Sequence, residues 1–165
     1  MPQSLRLALA LTVTLTSCAS MGSFFAEPEL SPAELAVLTA AAGCDVTPIV
    51  KGVRVSGALD AQDCKRPGGR PIDFYGVKSE GNPRTEYGTL MTTFTVSSAE
   101  FDPVARILAK GNERNTRTDN DSGRGLNARI RVALAENIYL IEVTSSSPGP
   151  AEGAYSLSIT TGPAQ

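Results

Sequence analysis

The stretch TDNDSGRGLN, residues 118 to 127, gathers side chains that could bind a metal ion. Calcium takes six to eight oxygen ligands from carboxylates, amides and carbonyls, and Asp119, Asn120 and Asp121 could together supply two or three. The EF-hand pattern requires a glutamate at its twelfth position, which is Ile130 when the count starts at Asp119. That motif is therefore absent, and a calcium site would rest on these three side chains.

The same stretch can also be explained as a structural turn. Asp119 and Asn120 are of the types that form Asx turns, and Gly123 and Gly125 tolerate a positive φ. Arg129 would then stabilise the resulting hairpin. A guanidinium that pairs with a carboxylate would also compete with a cation for it. A structural hairpin and a calcium site both stay open at this point.

Two carboxylate pairs, Glu100 with Asp102 and Asp119 with Asp121, are of the kind that glycoside hydrolysis uses. Both lie in polar stretches, where no apolar surroundings would raise the pKa of one carboxyl. The chain has no histidine, which excludes imidazole catalysis and histidine metal ligation. The serines at 145–147 have no base to activate them. We therefore expect no enzyme activity.

The N-terminal residues predict export. Residues 1–17 have one positive charge, Arg6, and an apolar run that is too short to span a bilayer. This run leads into LTSC, residues 15–18, which resembles the bacterial lipobox, where the cysteine is lipidated and becomes the mature N-terminus. Ala19 follows, whereas inner-membrane retention signals have Asp there. We expect a lipid anchor on Cys18 in the outer membrane, with the protein facing the periplasm.

Two further cysteines, Cys44 and Cys64, would lie in a compartment that oxidises thiols. We predict that they form a disulfide. Two free thiols, or a two-cysteine metal site without further ligands, are the alternatives.

The chain of 165 residues divides into a signal peptide and one domain. Without residues 1–17, 148 residues remain, which suits a single core. They carry 14 basic and 17 acidic side chains, so nucleic-acid binding has no electrostatic support. We assign residues 18–30 to a tether, 31–51 to a helix and linker, and 52–161 to a β-rich domain.

The sequence SPAE, residues 31–34, predicts the start of a helix. Ser31 stands at the cap, Pro32 at the first helical position and Glu34 at the position that completes a capping box. The helix is expected to end at Gly43, where left-handed geometry is available.

After residue 52 the apolar residues alternate with polar ones, which is typical of half-buried strands. The strand faces we predict are Val53, Val55, Gly57 and Leu59; Leu90, Phe94 and Val96; Ala128, Ile130, Val132 and Leu134; Tyr139, Ile141 and Val143, with Glu142 outward; and Tyr155, Leu157 and Ile159. Residues 73–79 and 104–110 also have strand character. Many short strands separated by turn residues predict an all-β, antiparallel, jelly-roll-like sandwich with one short N-terminal helix.

Five motifs in this order resemble the bacterial pre-peptidase C-terminal (PPC) domain family. They are GAL at 57–59 with DC at 63–64, DFY at 73–75, SAEFDP at 98–103, DNDSG at 119–123 with GLNARI at 125–130, and GAYSL at 153–157. The resemblance covers residues 52 to 161. It implies a β-sandwich related to collagen-binding domains, in which Asp102 and Asn127 help to structure the corner and the hairpin. The chain departs from the family pattern at residues 80–87, Arg124 and residues 137–139.

The resemblance implies a domain that binds without catalysis, since these domains usually accompany secreted peptidases. We therefore expect an envelope lipoprotein whose sandwich binds a protein or peptide partner through a sheet face or edge, or through the loops at 80–87 and 118–127. A structural spacer or assembly subunit is the alternative. A calcium-dependent polysaccharide-binding domain and a weak hydrolase are further alternatives, but aromatic residues make up only 5% of the chain, too few for a sugar-stacking surface.

Overall fold

The computed structural model describes residues 28–85, 88–147 and 151–163. The predicted signal peptide, Cys18 and most of the predicted tether lie outside these ranges, as do Glu86 and Tyr87 of the predicted 80–87 connection. Across the described ranges, no helix combines the length and the apolar character that a bilayer crossing requires.

The described residues form one helix and twelve strands. They are α1 (Pro32–Ala42), β1 (Thr47–Pro48), β2 (Arg54–Leu59), β3 (Cys64–Lys65), β4 (Pro71–Glu80), β5 (Arg84–Thr85), β6 (Gly88–Thr89), β7 (Met91–Ser98), β8 (Pro103–Ala109), β9 (Asn112–Asp119), β10 (Ala128–Val132), β11 (Glu136–Ser145) and β12 (Gly153–Gly162).

Two sheets form the predicted sandwich. Sheet A has the order β1-β4-β11-β8-β9, with β3 also pairing with β4, and sheet B has the order β10-β7-β12-β2. β5 and β6 form a separate two-stranded hairpin. Neighbouring strands are antiparallel except β1, which runs parallel to β4. Residues before position 52 therefore contribute to sheet A.

The core between the sheets follows the alternation in the sequence. Phe94 and Val96 on β7 and Leu157 on β12 are fully buried, and they meet Ile141 and Val143 of sheet A. Three predicted faces extend beyond their strands. Val53 precedes β2 and is 45% exposed, Leu90 precedes β7, and Leu134 follows β10 but is still buried in the core. The antiparallel β-sandwich with one short N-terminal helix is thus confirmed.

The helix covers part of the outer face of sheet A. Ser31 and Glu34 form the predicted capping box, and Gly43 ends the helix with φ +71°. Leu38 packs on Phe74 and Leu140 of sheet A, which forms a second, smaller core.

The predicted disulfide between Cys44 and Cys64 is present, with the two Cα atoms 6.3 Å apart. Cys44 directly follows the end of the helix, and Cys64 lies on β3, which pairs with β4. A crosslink that closes a loop of this length stabilises a fold by roughly 3 kcal/mol in the chain-entropy model. The disulfide therefore holds the helix to the edge of sheet A.

Candidate binding site

The outer face of sheet A beyond the helix carries a buried charge. Glu142 on β11 points to the outer face, as predicted, but its side chain is only 7% exposed. Its Oε2 atom accepts a hydrogen bond from Nη2 of Arg66 and lies 3.4 Å from Nη1 of Arg106. Two arginine side chains thus cover the carboxylate, and that is why it is shielded from water.

The strand register brings one of these pairs together. Glu142 on β11 stands directly opposite Arg106 on β8, and cross-strand neighbours of opposite charge attract one another. Arg66 reaches the same carboxylate from the residues that follow β3.

A third guanidinium, that of Arg70, completes the cluster. Its Nη1 donates a long hydrogen bond of 3.3 Å to the backbone carbonyl of Ser145. Burial is the main cause that lowers the pKa of Arg66, and repulsion from Arg106 and Arg70 adds to it. Arg106 and Arg70 are therefore close enough to Arg66 for their charges to repel its charge.

These arginines line a cavity of about 330 Å³, which we call the arginine cleft. Its lining residues are Arg66, Arg70, Val104, Arg106, Thr116, Thr118 and Thr144. Thr116 and Thr118 belong to β9, so the cleft lies beside that end strand of sheet A. Sequence reasoning did not predict it, because its arginines come from separate parts of the chain.

β9 itself leaves one edge of sheet A open. It pairs with β8 on one side, and no described strand pairs with its other side. The pairing is regular from Ala105↔Asp119 to Ile107↔Arg117, with an irregularity before Ala109. A strand of eight residues with one free edge can accept an extended segment.

The stretch TDNDSGRGLN is not a hairpin, which corrects the sequence prediction. β9 before it pairs with β8 in sheet A, and β10 after it pairs with β7 in sheet B. The stretch is therefore a crossover from one sheet to the other. The backbone must reverse within it, and its glycines permit that: Gly125 has φ +70°, and a Cβ on Gly123 would lie 2.3 Å from the carbonyl oxygen of Asn127.

Asp119 organises this crossover. Its Oδ2 accepts hydrogen bonds from the backbone amides of Ser122 (3.0 Å) and Arg129 (2.7 Å), and its Oδ1 accepts one from the Ser122 hydroxyl. Burial acts to raise the pKa of Asp119, but these hydrogen bonds outweigh it, so that the pKa is lowered. Asn127 adds a hydrogen bond to the Arg124 carbonyl. The contact from Arg129 comes from its backbone amide, not from its guanidinium.

The three residues of the predicted calcium site are not equivalent. Asn120 and Asp121 are exposed, whereas both carboxylate oxygens of Asp119 already accept hydrogen bonds. In the described parts of the chain, no group of three or more histidine, cysteine, aspartate or glutamate residues is placed to hold a metal ion. Calcium binding stays a prediction.

The two residues of the other carboxylate pair, Glu100 and Asp102, have hydrogen-bond partners in different parts of the chain. Glu100 accepts a hydrogen bond from the backbone amide of Ala154 at the start of β12. Asp102 accepts one from the hydroxyl of Ser146, just after β11, and its other oxygen, Oδ1, is buried without a partner among the described residues. Asp102 thus fixes the corner between β7 and β8, and the pair lacks the shared environment of an acid and base couple.

A half-buried carboxyl, that of Asp73 in the DFY motif, joins the two sheets. The hydroxyl of Tyr155 on β12 donates to Asp73 on β4, and the hydroxyl of Tyr75 lies 2.7 Å from that of Tyr155. Burial is the first cause that raises the pKa of Asp73; the Tyr155 hydroxyl opposes the rise, and Asp63 and Asp60 add to it. Burial also raises the pKa of Tyr155. The network braces the sandwich.

The fold of the chain is similar to that of known structures. No protein-family model matches the sequence, and no curated protein matches it. The PPC domain of a collagenase from Bacillus anthracis has a TM-score of 0.51 and 13% identity, and the match covers 70% of this chain and 94% of that one. The chain therefore has a PPC-like β-sandwich fold, as the sequence motifs predicted.

Two lower-scoring matches are periplasmic inhibitors of g-type lysozyme. The Aeromonas hydrophila protein PliG has a TM-score of 0.47 and 14% identity, over 71% of this chain and 94% of that one. Salmonella Typhimurium PliG has a TM-score of 0.40 and 12% identity, over 69% and 95%.

Proposed function

We propose that the chain is a non-catalytic envelope lipoprotein that binds an extended segment of a protein partner along β9. The free edge of this strand is the observation that carries the proposal. In such a complex the backbone amides and carbonyls on the open side of β9 pair with the incoming segment, as in strand addition. The lipid anchor at Cys18 and the outer-membrane location rest on the sequence.

β9 is a better acceptor than the other edges of the sandwich. With eight residues it is longer than β10 and β2, the end strands of sheet B. The opposite edge of sheet A has only the two-residue strands β1 and β3 beside β4. β9 also carries the exposed, charged Arg117. Charges on an edge strand hinder pairing between identical copies, which favours a different protein as the partner.

The absence of an enzymatic role is supported by the use of the carboxylates. Asp102, Asp119 and Asp73 each accept hydrogen bonds that hold a corner, a crossover or the two sheets together. A general acid or base must instead reach a substrate proton, and the chain has no histidine to share that task.

Site-specific photo-crosslinking in cells tests the function. A photoreactive amino acid replaces Arg117 on β9 in the full chain, and the matched control replaces Thr160, which is exposed on β12 in sheet B. We expect a crosslinked product with one protein from position 117 and none from position 160. No product at 117, as a spacer would give, or the same product at both positions would contradict the proposal.

The anchor is tested separately with Cys18→Ser. Because the lipid is attached to this cysteine, the variant is expected to lose acylation and to leave the membrane fraction. Radiolabelled fatty acid and fractionation measure both. A variant that stays acylated and membrane-bound would show that the lipobox interpretation is wrong.

A further inference from the structure

We propose that the arginine cleft binds a carboxylate group of an acidic side chain on the partner segment. This inference rests on the proposed pairing along β9, and it names the chemistry that selects the segment. Backbone pairing alone is indifferent to sequence, so strand addition needs side-chain pockets for specificity.

The charge of the cleft is unbalanced. Its lining has three guanidinium groups and otherwise only valine and threonine side chains. Glu142 is the carboxylate that contacts Arg66 and Arg106, and a single oxygen of it makes both contacts. One negative charge against three positive charges leaves the site attractive to a further anion.

Two arginines of the cleft can donate further hydrogen bonds to a ligand. Nε of Arg66 is buried and has no acceptor among the described residues. Arg70 is held by one long hydrogen bond to a backbone carbonyl, so its guanidinium can turn toward a ligand at little cost. Arginine is suited to this task because its planar fork matches the two oxygens of a carboxylate.

The position of the cleft matches a segment on β9. Thr118 of β9 stands opposite Arg106 of β8, and the two residues share the outer face of sheet A. In a strand added beside β9, alternate side chains would point to this same face. An aspartate or glutamate next to Thr116 or Thr118 would then extend over the arginines. The cavity of about 330 Å³ is large enough for such a side chain.

Peptide binding to the full acylated chain in detergent tests the proposal. The probes are a fluorescein-labelled Thr-Glu-Thr-Glu-Thr peptide, the matched peptide with glutamine in place of glutamate, and inorganic phosphate as a competitor. We expect the glutamate peptide to bind about tenfold or more tightly than the glutamine peptide. We expect phosphate to displace the glutamate peptide. Equal binding of the two peptides, or a glutamate peptide that phosphate does not displace, would overturn the inference.

Matched arginine variants locate the binding. Arg70→Gln leaves both contacts of Glu142 in place, so it keeps the fold while it removes one cleft charge. We expect Arg70→Gln and Arg106→Gln to weaken the glutamate peptide by about tenfold, whereas Arg54→Gln, on exposed β2 of sheet B, changes it by less than about twofold. An equal loss with Arg54→Gln would contradict a site in the cleft.

The two proposals fail in different ways. In one case, Arg70→Gln leaves both the crosslink yield at position 117 and the binding of the glutamate peptide unchanged. β9 is then the binding edge, but the cleft does not bind the acidic side chain. If position 117 gives no crosslink in the unaltered chain, the proposed function itself is wrong, whatever the peptides do.

Discussion

Tyr155 links the two sheets of the sandwich through polar contacts. Tyr155 is 4% exposed. Its single hydroxyl proton goes to Asp73, so Tyr75 is the donor in the hydrogen bond between the two tyrosines. Gly57 leaves room for this arrangement, because a Cβ there would lie 2.5 Å from Cζ of Tyr155. A half-buried carboxyl such as that of Asp73 loses stability when its hydrogen-bond donor is removed.

The variant Tyr155→Phe removes that donor. We expect the free energy of unfolding to fall by about 1–3 kcal/mol and the pKa of Asp73 to rise further, since the Tyr155 hydroxyl opposes the rise. Asp73 holds its proton more tightly in the folded chain, so its contribution to stability is full below its unfolded pKa and is lost as the pH rises through the folded pKa. Carboxyl NMR titration measures this.

Tyr75→Phe is the control, because it keeps the hydrogen bond from Tyr155 to Asp73. A smaller change in the pKa of Asp73 is expected there. An Asp73 pKa that stays the same or falls in Tyr155→Phe would refute the role given to the hydroxyl.

Asp119 has the opposite dependence on pH. Hydrogen bonds from the crossover lower its pKa, so its contribution is present above the unfolded pKa and is lost as the pH falls through the folded pKa. Asp119→Ala is expected to cost about 1–2 kcal/mol at neutral pH, and the exposed Asp121 replaced by alanine less than about 0.5 kcal/mol. Urea denaturation compares them, and equal losses would contradict this account.

The calcium prediction is decided by the same variants. Because both oxygens of Asp119 already accept hydrogen bonds, we expect the Tm to be the same with calcium and with a chelator. A Tm that rises with calcium in the unaltered chain, and not in Asp121→Ala, would establish the calcium site instead.

At the scale of elements, the sequence predicted those structures whose signal is local. The capping box and the C-terminal glycine define α1 completely, and alternation marks β7, β10, β11 and β12. β9 was missed because its sequence, NERNTRTD, has no apolar residue. It is a strand because β8 offers a pairing edge, and that depends on the tertiary fold.

The crossover and the arginine cleft could not be predicted from the sequence, because they too depend on the tertiary fold. Glycine and aspartate predict a turn at 118–127. Only the strand pairing shows whether the strands on its two sides pair with each other or belong to different sheets. The alternation placed Glu142 on an outer face, yet its burial needs Arg66 from a distant loop and Arg106 from β8.

The disulfide links two elements, the helix and β3, and its removal is expected to loosen both. The double variant Cys44→Ser with Cys64→Ser should lose roughly 3 kcal/mol in urea denaturation under oxidising conditions. Because Arg66 follows Cys64 by two residues, peptide binding in the cleft should weaken as well.

Ser31→Ala is the matched control for this prediction, since it removes the helix cap but keeps the crosslink. It should cost about 1 kcal/mol and leave peptide binding unchanged. A double serine variant as stable as the unaltered chain would contradict the role of the crosslink.

At the scale of the whole molecule, the described sandwich presents two different outer faces, and β9 is its longest end strand. The helix, fixed by the disulfide, covers one part of sheet A, and the arginine cleft occupies the part beside β9. The two proposed modes of recognition, by charge in the cleft and by backbone pairing along β9, therefore lie on the same side of the molecule.

Amide hydrogen exchange of the full chain, with and without the protein captured at position 117, tests this account most directly. An added strand gives hydrogen-bond acceptors to the amides on the open side of β9, so the account predicts slower exchange there and no change in β2, the end strand of sheet B. Unchanged exchange in β9, or protection of β2 instead, would contradict binding at this edge.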